Sequence, residues 1–329
     1  MTIVQEILAP QGSPTLRAGK KGDKVIYSRL FVVLAIFLAV APFLIYPVFI
    51  MTVLCFALFA AAFNLLVGYG GLLSFGHAVF FGMSAYVTGH AAKEWGYTPE
   101  LALLAGIAAS VGIGIVFGAL AIRRRGIYFS MVMLALAQMG YFLCLQAPFT
   151  HGEDGIQAIP RGELFGFIDL TDDRTLYVAV STLFMLSIVF IYRIVHSPFG
   201  QVLKSIRENE ARAISLGYNA PIYQLGVFLL SAAFAGLAGG MKALVFQVAT
   251  LTDVHWSMSG EVVLMTLVGG MGTIFGPIVG AVVIVAMQTY LASLGAWVTV
   301  VQGVIFVACV LLFREGIVGV IARRFRISL

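Results

Sequence analysis

The sequence predicts an all-α fold, a polytopic membrane bundle of about ten transmembrane helices with both termini cytoplasmic. Three observations carry that prediction: an apolar composition, six long stretches without a charged residue, and a sorting of charge between alternate loops. The 329 residues are 60% hydrophobic and 11% charged, with a mean hydropathy of +1.00. A water-soluble domain cannot be so apolar, because it needs polar surface to cover its core. Asp, Glu, Lys and Arg are absent from 30–92, 101–122, 126–152, 175–192, 213–241 and 262–313, and a spanning helix needs roughly 20 mostly apolar residues.

Proline and glycine divide the longer stretches. Pro47 follows the first span, "GYGG" at 68–71 follows the second, and "GGMGTIFGP" at 269–277 splits the last. The expected spans are 29–49, 50–67, 72–91, 101–122, 127–147, 176–194, 222–246, 258–271, 276–293 and 297–313. They leave a basic cytoplasmic segment at 1–28, a transmembrane domain at 29–313 with an outer loop at 148–175 and a cytoplasmic helix at 197–217, and a basic cytoplasmic tail at 314–329. With the N-terminus inside, the inner segments hold Arg17, Lys20, Lys21, Lys24, Arg29, Arg123 to Arg125, Arg193, Lys204, Arg207, Arg212, Arg314, Arg323, Arg324 and Arg326, which is 16 of the 20 basic residues. Lys and Arg accumulate on the cytoplasmic side of membrane proteins, so the count fixes the orientation.

The net charge of +5 is therefore a topology signal with some attraction for anionic lipid, and not a nucleic-acid footprint. A basic start before an apolar run also fits a signal peptide, with "AVA" at 39–41 as its cleavage site. Apolar sequence continues past that point, so a first span is the expectation. Cys55, Cys144 and Cys309 are scattered through apolar spans and suggest neither a disulfide framework nor a metal site.

One stretch breaks the apolar pattern: five of the nine residues from Lys204 to Arg212 are charged. Ser197 and Pro198 form a helix start, an N-cap hydroxyl followed by a proline at the first position. Gly217 suits the left-handed residue that ends a helix. Phe199, Val202, Leu203, Ile206 and Ala213 recur on one face, while Lys204/Glu208 and Glu208/Arg212 fall at i,i+4 on another. The reading is a short amphipathic helix across the inner mouth of the bundle. A helix made only to rest on anionic lipid would be mainly basic, whereas mixed charge suits a protein partner.

Four blocks, "NLLVGYGGLLSFGHAVFFGMSAYVTGH" at 64–90, "HGEDGIQAIPRGELFGFIDL" at 151–170, "SPFGQVLKSIRENEARAISLGYN" at 197–219 and "LVGGMGTIFGPIVGAVV" at 267–283, resemble the LivM family of branched-chain amino acid ABC-importer permeases. The resemblance implies a permease subunit in a bacterial cytoplasmic (inner) membrane. Its partners would be two ATP-binding subunits, a second homologous permease and a periplasmic or extracellular solute-binding protein. It also implies that 197–219 docks into the ATPase, with Phe199, Val202, Leu203 and Ile206 filling a groove and Arg207, Glu208, Glu210 and Arg212 setting orientation. The importer signature is matched loosely by "ENEARAISLG", where Glu210, Ala211 and Gly217 are off its spacing by one. The chain has no G-x-x-x-x-G-K-[ST] sequence, so ATP and Mg are expected on partner subunits and no cofactor on this chain.

Polar groups and glycines inside spans are the candidates for a translocation path, since lipid-facing positions do not tolerate them. Asn64, Gly68, Gly70, Gly71, Ser74, Gly76 and His77 crowd together, and Gln138 lies in the fifth span. Ser84, Ser130, Gln224, Gln247, Gln288 and Gln302 are further in-span polar groups, each of which helix–helix hydrogen bonding also explains. The crowded set suggests a helix break whose free N–H groups meet a passing carboxylate. On the outer side, Glu153, Asp154, Arg161 and Asp253 are candidates for docking a binding protein. A metal site built from His151, Glu153, Asp154 and His255 matches no ligand pattern, and snorkelling accounts for Lys242 and Glu261.

Three other readings share some of these features. A permease for another small polar solute, such as urea, an amide or an aromatic acid, would have the same blocks. An ion-coupled secondary transporter would have similar breaks, but also mid-span acids, which are missing here. An intramembrane hydrolase has only His77 with Ser74 or Ser84 to draw on, with no third group to orient them.

Overall fold

In a computed structural model the described residues are 19–324, apart from 125, 293, 294, 296, 298, 299, 305, 306 and 308–315. The α-helices among them are α1 Gly19–Leu44, α2 Pro47–Asn64, α3 Ala78–Lys93, α4 Pro99–Ala121, α5 Ile127–Gln146, α6 Asp173–His196, α7 Pro198–Glu208, α8 Glu210–Ser215, α9 Ala220–Phe246, α10 Trp256–Gly269, α11 Gly276–Tyr290 and α12 Gly316–Arg324. Six are long and apolar enough to cross a membrane: α1, α2, α4, α5, α6 and α9. The helices at the expected third, eighth and ninth spans have 16, 14 and 15 residues. At 1.5 Å per residue they fall short of a hydrocarbon core about 30 Å thick. Most of the tenth expected span, together with Arg17, Arg125, Arg314, Arg326 and Cys309, lies outside the described residues.

Helix α2 is the central post. It is apolar all round, as a helix surrounded by protein must be, and every residue from Val53 to Leu66 is buried. Its last turn widens into a π-helical segment, Leu65–Tyr69. Beside it α3, α4 and α9 pack through small residues, which let helices approach in lipid, where hydrophobic expulsion offers no drive. A Cβ built on Gly236 meets the Ser110 side chain, and one built on Gly240 lies 2.8 Å from Leu103. Ser110 Oγ donates to the Phe80 carbonyl oxygen at 2.7 Å.

Helix α1 begins ten residues before its expected start and lies at the periphery, with much of its surface exposed. Pro42, inside it, has no N–H for the Leu38 carbonyl four residues back. Tyr177 of α6 donates its hydroxyl to that carbonyl at 2.6 Å, so the proline break becomes the seam between α1 and α6.

Loops gather at two ends. At one end Tyr27 packs against His196 and Phe275, with ring centroids 5.4 and 6.3 Å away. At the other, the two-residue strands β1 Ile156–Gln157 and β4 Val248–Ala249 pair antiparallel, and β2 Glu163–Leu164 forms a hairpin with β3 Ile168–Asp169. Lys93 Nζ reaches the Gln157 carbonyl at 2.9 Å at that same end.

Candidate functional site

The charged stretch does not form one helix. At Asn209 the backbone is extended (φ −156°, ψ 96°), which ends α7 and starts α8, whose Arg212 N–H is capped by the Asn209 side chain at 3.0 Å. Ser197 caps α7 through the Gly200 N–H. Gly217, at φ +90°, ends the unit in a conformation that a side chain would strain. Glu208 and Arg212 thus lie on opposite sides of a break; ion pairs among the described residues include Arg161–Asp173 and Lys242–Asp253.

The apolar face of α7 points into the bundle. Leu203 and Ile206 are 1% and 3% exposed, and Phe199 stacks on Tyr223 with ring centroids 5.6 Å apart. Val202 packs beside Ile206, Ala213 and Ala220. These four residues seat the unit on its own protein: Leu203 and Ile206 are closed off there, while Phe199 and Val202 are half-buried. The outward surface carries Gln201, Ser205, Arg212, Ile214, Leu216 and Tyr218, of which Leu216 is 69% exposed. Periodicity hid Ile214 and Leu216, since they lie past the Asn209 break and off the apolar face of α7. Arg207 also turns inward, donating Nη1 to the Gly68 carbonyl oxygen.

That carbonyl belongs to the first glycine break, and Asn64 joins it to the second. Its amide donates to the Thr273 carbonyl at 2.8 Å and accepts from the Gly272 N–H at 2.9 Å, using both the NH₂ and the oxygen of the side chain. Gly272, at φ +77°, makes the turn between α10 and α11, and a Cβ on Gly68 would lie 2.8 Å from the Gly272 nitrogen. Two short helices thus turn back against the end of α2, where the Asn64 amide holds the turn between them.

The other path candidates divide. Gly70 and Gly71 continue the break; a Cβ on Gly70 lies 3.0 Å from Val227, and one on Gly71 lies 3.0 Å from the Arg207 side chain. Ser74 accepts the Gly76 N–H at 3.3 Å, and Gly76 lies against the Met133 carbonyl of α5. His77 is fully buried, 2.9 Å from Ser231 Oγ through Nε2, with Phe59, Phe63 and Phe80 around its ring. It holds α3 to α9 inside the protein. Gln138 lies partly exposed on α5.

At the end that carries the 148–175 loop, Glu153 and Asp154 are exposed. Arg161 pairs with Asp173 at 2.7 Å and donates to the Val245 carbonyl at 3.1 Å, tying the loop to α6 and α9. Asp253 corrects its expected role: it is 2% exposed and bonds Lys242 Nζ at 2.6 Å, with the Thr250 N–H and hydroxyl at 3.2 and 3.1 Å. Lys242 accordingly does not snorkel; its ammonium is buried against this carboxylate. Glu261 accepts from Gln288 at 2.9 Å, which ties α10 to α11. No group of three or more His, Cys, Asp and Glu gathers among the described residues. The tip of the β2–β3 hairpin carries Phe165 and Phe167, 64% and 77% exposed, which the charge-based reading passed over.

Residues 45–310 match the family described as branched-chain amino acid transport system, permease component. The high-affinity branched-chain amino acid transport system permease protein LivM of Escherichia coli is 27% identical over 89% of this chain and 75% of its own length. The Salmonella typhimurium protein of the same name is 28% identical over 77% of this chain and 65% of its own. A probable branched-chain amino acid transport permease protein LivM of Methanocaldococcus jannaschii is 27% identical over 57% of this chain and 56% of its own. No solved structure matches.

Proposed function

Because this chain belongs to the family of branched-chain amino acid transport permease components, we propose that it is the multi-pass membrane permease subunit of an ATP-driven importer of branched-chain amino acids. Family membership across nearly all the spans is the observation that carries this reading. The permease component of such a system works with an ATPase and a binding protein. We assign it two ATP-binding subunits, which carry the ATP and Mg, and a second homologous permease. The membrane is the bacterial inner membrane, with both termini and 195–220 cytoplasmic and 148–175 external.

In this reading the α7–α8 unit docks on the ATPase through its outward surface: Glu210 and Arg212 for charge, Ile214 and Leu216 for apolar contact, and Gly217 for the turn behind them, while Glu208 faces the cavity beside Lys204 and Arg207. Phe199, Val202, Leu203 and Ile206 transmit that contact by seating the unit on the bundle. Arg207 continues the link to Gly68, and Asn64 carries it into the α10–α11 turn, so motion at the ATPase reaches both glycine breaks through direct contacts. Gly70, Gly71, Ser74, Gly76, His77 and Gln138 shape the surroundings of that break. Outside, Glu153, Asp154 and Arg161, with the Phe165–Phe167 tip, form the binding-protein surface.

The test is ATPase subunit recovered per permease after purification. The double variant Ile214→Asp, Leu216→Asp is expected to insert and remain folded while losing the ATPase about tenfold or more, as for removal of a central apolar contact. Ile206→Asp is expected to destabilise the permease itself, since the charge enters its own core. Full recovery of ATPase with the double variant overturns this docking surface.

A further inference from the structure

A cavity of about 170 Å³ opens at the inner end, where α7, the end of α2, the end of α6 and the α10–α11 turn meet. Its walls include Lys204, Arg207, Glu208, His196, Tyr69 and Gly272. It is smaller than the roughly 300 Å³ at which pockets for drug-sized ligands begin, so it suits a solute no larger than a single amino acid. It also touches both glycine breaks, through Tyr69 and Gly272.

The chemistry of the wall is two-sided. Lys204 Nζ sits over the Tyr69 ring, 5.5 Å from its centroid, and shares the cavity with Arg207. Desolvation, then Arg207, holds the Lys204 ammonium below its usual pKa, and Glu208 offsets this in part. Two neighbouring cations in a half-buried wall are relieved by an anionic group between them. On the acceptor side stand the Glu208 carboxylate and His196. The His196 Nδ1 lies 2.9 Å from the Tyr192 carbonyl oxygen, a contact that requires the proton on Nδ1 and leaves Nε2 as an acceptor in the neutral ring. Donors for a carboxylate and acceptors for an ammonium thus line one small space.

We propose that this cavity is an exit-side site for the free amino acid zwitterion, whose carboxylate meets Lys204 and Arg207 and whose ammonium meets Glu208 and His196. The proposal rests on the transport reading above. Occupancy ties α7 to the end of α2 and to the α10–α11 turn, so amino acid accumulated inside slows the transport cycle. The site is then a product-inhibition site as well as a station on the way out.

The experiment uses the complete importer in lipid nanodiscs, which expose both faces, with leucine-loaded binding protein at saturation, and follows ATP hydrolysis as free L-leucine is raised to millimolar levels. Hydrolysis is expected to fall below half. Lys204→Met should raise the half-inhibiting concentration about tenfold, judged against that variant's own uninhibited rate, because one charge-assisted contact is lost. Leucinamide, without the carboxylate, and 4-methylpentanoate, without the ammonium, should inhibit far less than leucine. Inhibition by 4-methylpentanoate or inorganic phosphate equal to that by leucine would make this a plain anion site and overturn the proposal. Stimulation by loaded binding protein with no inhibition by free leucine overturns the proposal and leaves the transport reading standing. No stimulation by loaded binding protein overturns the transport reading, and the proposal with it.

Discussion

Asp253→Leu is expected to destabilise the protein by about 3–5 kcal/mol, the cost of leaving one member of a buried ion pair without its partner. The geometry explains the size. Lys242 lies 22 residues into α9 and is 8% exposed, and its ammonium meets Asp253 at 2.6 Å in a site closed by the capping contacts of Thr250. Both charges are buried, so removing the carboxylate leaves the ammonium without its partner in a site largely shut from water. The double variant Lys242→Met, Asp253→Leu removes both charges and keeps most of the volume, and is expected to recover most of the loss. Thermal unfolding of the purified complex measures both. A double variant as unstable as the single one would show that the pair does more than neutralise itself.

Gly239→Leu should leave little folded permease, and Gly239→Ala should cost at least the 1–3 kcal/mol typical of overpacking. A Cβ at Gly239 falls on the Phe81 carbonyl oxygen of α3, and backbone cannot yield as a side-chain tip can. Gly280→Leu in α11 should act alike, since its Cβ falls on the Met265 carbonyl of α10. Gly112 in α4 is the control, because a Cβ there meets nothing within 4 Å and alanine should be tolerated. The measure is folded permease by size-exclusion profile after solubilisation. A normal profile for Gly239→Leu would mean that α3 and α9 do not pack at backbone contact.

Much of this was legible in the sequence where a local signal marks a boundary. Helices α4, α5 and α9 fall within about two residues of expectation, because Glu100 and the arginines from Arg123 bound the charge-free runs of α4 and α5 and Pro221 sits at the start of α9. The start of α1 was not legible, since a search for charge-free residues stops at Arg29 while the helix continues to Gly19 with lysines along it. Amphipathicity gave α7 a correct apolar face but not its neighbour, for periodicity says which residues share a face and nothing of what covers it. The cover is Tyr223 and the start of α9. Asp253 read as loop charge because its partner is 11 residues back. The pairing of Val248–Ala249 with Ile156–Gln157 helps fold that loop against the bundle.

The most direct test of the central claim is uptake of labelled leucine into proteoliposomes that contain the permease pair and ATPase subunits, with binding protein outside and ATP enclosed. Uptake is expected to require enclosed ATP, external binding protein and both permeases, and to be unaffected by collapsing proton and sodium gradients. Uptake that persists without ATP and disappears with the gradients would contradict the account and make the chain an ion-coupled transporter.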